Sequence, residues 1–78
     1  MILTVAALQY CASDDAAATL AHIEPLIAKA ARTAGLICLP EAASFLAASR
    51  AQLSKCAEWE DDSVSQKKLA ALARQHDV

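Results

Sequence analysis

The sequence predicts an α/β fold built on a strand–helix–strand unit. Three observations predict it. Two short, nearly continuous apolar runs occur at residues 2–9 (ILTVAALQ) and 36–39 (LICL). A stripe of apolar residues at helical spacing lies between them, and turn or cap residues punctuate each joint. Two strands joined through a helix with short connections form a βαβ unit, nearly always right-handed, with parallel strands.

The first run has β-branched residues at Ile2, Thr4 and Val5 and does not alternate, the pattern of a strand covered on both faces. Ser13, Asp14 and Asp15 follow as a helix start. Ser13 or Asp14 is expected to cap it, with acids at the positive end of the helix dipole. Ala16, Leu20, Ile23, Ile27, Ala30, Ala31 and Ala34 then recur at steps of three and four, which makes one buried face. Lys29 and Arg32 stand near the end, where cations are favoured, and Gly35 falls where a left-handed cap is expected. Pro25 conflicts with a regular helix. Because the stripe keeps its phase across it, one kinked helix is expected rather than two.

Residues 36–39 follow as the second buried strand, ended by Pro40. The pattern then weakens over residues 42–62. Phe45, Leu46 and Leu53 suggest a short helix, and residues 55–62 read as a polar loop in which Trp59 covers a core edge, the favoured role, or forms a partner contact. Ser63 followed three residues later by Gln66 is a capping box. Leu69, Leu72, Ala73 and His76 continue its stripe, and Asp77 and Val78 approach an expected third strand.

Composition bounds the function. The chain has 78 residues, 56% of them hydrophobic, 4% aromatic and 21% charged. Its formal charge of −2 provides no basic footprint for nucleic acid, and the high hydrophobicity opposes intrinsic disorder. No apolar run reaches the ~20 residues that span a bilayer, and the opening residues lack the basic region of a signal peptide. With one glycine, neither G-x-G-x-x-G nor a P-loop is present. Cys11, Cys38 and Cys56 are odd in number and lack CxxC spacing, so neither a disulfide framework nor a zinc site is expected, and a reducing, cytoplasmic setting fits. No metal and no cofactor is expected. Twenty of the residues are alanine, so the core is thin, and marginal stability is expected at a size where one core yields ~3–5 kcal/mol.

The candidate for chemistry is Glu41. It follows the second strand, and in open α/β sheets ligands bind at the carboxyl ends of strands. A carboxylate partly desolvated beside Leu39 and Pro40 would suit general-base work, and a solvated loop acid is the plain alternative. Cys38 reads as a small buried strand residue, whereas Cys11 has either a buried or a partly exposed place. Lys55 reads as solvated, Cys56 as exposed, and His22 and His76 as helix residues without a catalytic role.

Several motifs in fixed order carry a resemblance. Val5, Ala6 and Gln9 fit a strand of the form V-A-x-x-Q. Ala31 and Gly35 fit a helix ending in A-x-x-x-G, and Leu39-Pro40-Glu41 fits a strand ending in L-P-E. Together they resemble the N-terminal portion of the carbon–nitrogen hydrolase (nitrilase) superfamily, over essentially all of residues 1–78. LPEAASF, through Ala42 and Phe45, also resembles the branch of deaminated glutathione amidase and ω-amidase. The resemblance implies a partial domain: a βαβ-plus-helix piece of a four-layer α-β-β-α sandwich, homo-oligomeric when complete.

It implies as well a Glu–Lys–Cys amidase acting on a small carboxamide through a thioester. Only the glutamate carries over, to Glu41. The lysine and the nucleophilic cysteine belong to later strands, so this chain alone is expected to be inactive. A second reading stays open, in which a non-catalytic truncated module associates with a full-length homologous subunit.

Overall fold

The computed structural model describes residues 2–78. The order of elements is β1 (Val5–Ala7), α1 (Ala16–Ala30), β2 (Leu36–Cys38), α2 (Arg50–Cys56), a 3₁₀ turn (Glu60–Asp62) and α3 (Val64–His76). The two strands form a parallel pair in the register Val5↔Leu36, Ala6↔Ile37 and Ala7↔Cys38. The expected α/β unit is therefore present, with helix α1 as the crossover between parallel strands.

The strands are shorter than the apolar runs that predict them, because each has only one neighbour to bond. Single hydrogen bonds extend the ladder at each end, from the Gly35 N–H to the Thr4 carbonyl (2.9 Å) and from the Leu8 N–H to the Cys38 carbonyl (3.0 Å). One sheet face turns inward through Ala6 and Ile37. The other carries Val5, Ala7, Leu36 and Cys38, all exposed. Of the two faces expected to be covered, the described residues cover one, and Cys38, expected inside, lies on the open face. The alternation of strand side chains puts it there, since Ile37 takes the inward position.

Helix α1 is one helix through Pro25, as its stripe implies, and it buries Thr19, Leu20, Ile23 and Ile27. Its cap is Asp15, neither Ser13 nor Asp14. An Asp15 carboxylate oxygen accepts from the Ala18 N–H at 3.1 Å. Ser13 instead binds the Thr19 hydroxyl (3.1 Å), which fixes the chain entering the helix. The helix ends at Ala30 with Ala31 in right-handed geometry, and Gly35 has no positive φ. Its role is space: a Cβ there would approach the Leu3 Cδ1 to 3.2 Å.

Helix α3 packs on α1 through Leu72, which joins Leu20, Ile23 and Ile27 in the core, with Leu8, Tyr10, Ile37, Leu39 and Leu69 packed around them. A half-exposed ion pair, Lys68 to Glu24 at 3.3 Å, also links the two helices. Ser63 caps α3 and accepts from the Gln66 N–H at 3.1 Å. The carboxylate that completes this cap comes from Glu58, which accepts from the Val64 N–H (2.9 Å), the Ser65 N–H (3.3 Å) and the Ser63 hydroxyl (3.1 Å). At the far end Asp77 takes a left-handed conformation (φ 55°, ψ 50°), and the Val78 N–H returns to the Ala73 carbonyl at 3.0 Å. The residues expected to lead into a third strand therefore close the helix in a Schellman-type cap.

The Glu58 cap gives a pH prediction. Hydrogen bonding with the Ser65 side chain, aided by the Val64 and Ser65 N–H groups and the Ser63 hydroxyl, outweighs desolvation and lowers the Glu58 carboxyl below its ordinary value of 4.5. An acid depressed in the folded state stabilises it above the ordinary value, and this stabilisation is lost as pH falls through the lower folded value. Glu58→Gln is expected to lower the thermal midpoint at pH 7. The gap from the parent should close as pH drops below 4.5; a gap independent of pH would contradict the assignment.

The segment before α3 departs from expectation. Lys55 and Cys56 close helix α2 rather than lying in a loop, and Phe45 and Leu46 precede that helix. Trp59 is 83% exposed and covers no core edge among the described residues. It immediately precedes the 3₁₀ turn. Among the described residues no helix is long and apolar enough to cross a membrane.

Candidate functional site

Parallel pairing brings the carboxyl ends of β1 and β2 to one side of the sheet. Tyr10 and Glu41 each lie three residues beyond the last ladder pair, Ala7↔Cys38. Tyr10, Cys11 and Ala12 leave β1 there, and Pro40 and Glu41 leave β2. With Ala42 and Leu46 they enclose an open cleft of about 410 Å³ lined by Tyr10, Cys11, Ala12, Glu41, Ala42 and Leu46. Glu41 thus occupies the sheet rim, as its position after LICLP predicts. It is exposed, so the desolvation expected beside Leu39 and Pro40 is not supplied by the described residues.

Three hydrogen bonds tie the two loops of this rim together. The Tyr10 hydroxyl donates to the Ala43 carbonyl at 2.6 Å. The Leu46 N–H donates to the Ser13 carbonyl at 2.9 Å, and the Gln52 amide to the Asp14 carbonyl at 3.3 Å. Burial pushes the Tyr10 phenol above its ordinary value, so it remains a donor throughout the neutral range. Between Glu41 and Ala43 the chain turns through Ala42 with a φ of 54°.

The remaining sequence candidates lie elsewhere. Cys38 is on the open sheet face and Cys56 on α2, and Lys55 and His22 are exposed. Cys11 is exposed at the cleft, its thiol 3.8 Å from the Ala12 carbonyl. Phe45 lines a separate hollow with Ala16, Ser63 and Leu69, whereas Ala42 lines the Glu41 cleft. An apolar groove of about 260 Å³ beside β2, lined by Ile27, Leu36, Leu39, Leu69, Leu72 and Val78 among others, has no ionisable side chain and offers no acid–base chemistry. Among the described residues no group of three or more His, Cys, Asp or Glu is placed to hold a metal ion.

Sequence reasoning missed Tyr10 and Leu46 as cleft residues. Tyr10 has no local signal, since its partner is 33 residues away. The parallel register is the only route by which it could have been placed.

The α/β unit places a carboxylate at the rim of two parallel strands. The family model for carbon-nitrogen hydrolase matches residues 4–78. The chain belongs to the carbon–nitrogen hydrolase family. No curated protein and no solved structure matches it.

Proposed function

We propose that this chain is the N-terminal portion of an amidase that cleaves the carbon–nitrogen bond of a small carboxamide, with Glu41 as general base. The observation that carries this reading is the place of Glu41, at the carboxyl rim of two parallel strands in a cleft, within a family match running from residue 4 to 78. A free thiol is mostly protonated at neutral pH, and its thiolate is the nucleophile, so a positioned base is needed. In the proposed cycle Glu41 takes the thiol proton as sulfur attacks the amide carbon. That proton then passes to the departing amine as the C–N bond breaks and a thioester forms. Glu41 next takes a proton from water, which attacks the thioester and releases the acid and the thiol. A lysine stabilises the negative charge on the tetrahedral oxygen.

Lysine and cysteine are assigned to a part of the protein beyond this chain, so the chain alone is inactive. The open sheet face supports that partition. Both strands are apolar on each face, yet Val5, Leu36 and Cys38 lie uncovered, as they would where a further layer of a four-layer sandwich packs. The exposed face equally fits docking on a full-length homologous subunit, the second reading. Through Ala42 and Phe45, LPEAASF resembles the deaminated glutathione amidase and ω-amidase branch, which we propose as the branch to which the chain belongs. The complete protein is proposed to be a homo-oligomer, and its three free cysteines fit the cytoplasm.

The test is the transcript. Reading past the codon for Val78 should reveal a later strand ending in lysine and another carrying cysteine. A transcript without them would end the enzyme reading. Co-purification of the 78-residue chain with a full-length homologue would then favour the module.

A further inference from the structure

We propose that Tyr10 is the positioning residue for Glu41, acting through the carbonyl of Ala43; this rests on the general-base reading of Glu41. Ala42 has a φ of 54°, a region that alanine avoids because its Cβ crowds the following carbonyl. Such a conformation persists where surrounding contacts over-determine it. Here two hydrogen bonds hold the chain just after the turn. The Tyr10 hydroxyl holds the Ala43 carbonyl at 2.6 Å, and the Ser13 carbonyl holds the Leu46 N–H at 2.9 Å. The Tyr10 ring is itself fixed, because it packs against the core of Leu20, Ile23, Ile27 and Leu72.

A rigid donor on the first strand's exit therefore sets the turn that immediately follows Glu41 on the second. The turn adjoins Glu41 in the cleft that Tyr10 and Glu41 share, and in this proposal it sets the direction of the carboxylate. Without the hydroxyl, Ala42 has reason to relax to negative φ, and Glu41 loses its direction while the core stays packed.

The experiment is NMR on the 78-residue chain, reading the Ala42 backbone torsion together with the signals of α1 and α3. In Tyr10→Phe, which keeps the ring, Ala42 is expected to leave positive φ while the helix signals stay in place. In Ala42→Gly, where positive φ has no steric penalty, adding Tyr10→Phe is expected to change the turn much less. Retention of positive φ at Ala42 in Tyr10→Phe would overturn the proposal. So would simultaneous loss of turn and helix signals in Tyr10→Phe, since the hydroxyl would then be a general stabiliser.

In the complete enzyme, Tyr10→Phe is expected to lower kcat about tenfold to a hundredfold, with KM nearly unchanged. Undiminished kcat in that variant, where Glu41→Gln is inactive, would overturn positioning and leave the base reading intact. Activity retained in Glu41→Gln would instead remove the base reading, whatever the torsion at Ala42.

Discussion

Ile23→Ala is expected to bring the chain to the edge of unfolding at 25 °C. Ile23 is 0% exposed and lies on α1 between Leu20, Ile27 and Leu72, the small cluster on which both helices and the sheet meet. Truncating a buried isoleucine to alanine costs about 2–5 kcal/mol, because the transfer energy is lost and a cavity remains. A single core at this size provides ~3–5 kcal/mol, so one substitution removes most of the margin. Ile23→Val, at about 0.5–1.5 kcal/mol, should leave the chain folded with a lower midpoint. Urea titration followed by far-UV circular dichroism checks both. Equal midpoints for Ile23→Ala and the parent would mean that α1 does not pack as described.

Glu41→Gln is expected to reduce turnover of the complete enzyme by about 10²–10⁴, the usual contribution of a positioned general base. Glutamine has nearly the same shape and no basic carboxylate, so loss of the proton acceptor is separated from loss of packing. Glu41 is exposed and has no buried partner among the described residues, so the fold is expected to stay intact. The measurement is steady-state amide hydrolysis beside a thermal melt. An unchanged melting temperature with lost turnover is the expected pair, and undiminished turnover would assign the base to another residue.

The parts of the fold legible in the sequence are those governed by local periodicity. The stripe from Leu20 to Ile27 and the stripe through Leu69 and Leu72 form the packed faces of α1 and α3, and the runs VAA and LIC form the paired strands. Caps were legible as regions rather than as residues. Three neighbouring polar side chains can start α1, and Asp15 wins because Ser13 is engaged by Thr19.

Contacts that close over sequence distance were not legible. Glu58 reaches the α3 cap across a 3₁₀ turn, and Tyr10 meets Ala43 from another strand. The turn at Ala42 escaped because an alanine at positive φ lacks the glycine that usually marks such a site. Cys38 reads as interior because its type favours burial, and Trp59 reads as a core-edge or partner-contact residue on a loop. Which face of a strand or loop is covered depends on the rest of the chain and its neighbours. The rim position of Glu41 was legible, since strand, proline and glutamate follow directly. Its cleft was not, because Tyr10 and Leu46 enter it through the parallel register and the loop cross-links.

The most direct measurement of the central claim is a crystal structure of the complete enzyme with its thioester trapped by a slow carboxamide. A Glu41 carboxylate oxygen is predicted within about 3.2 Å of the cysteine sulfur or of the water aligned on the thioester carbon, close enough to take a proton. Glu41 turned to bulk solvent, with a different side chain at that distance, would contradict the account.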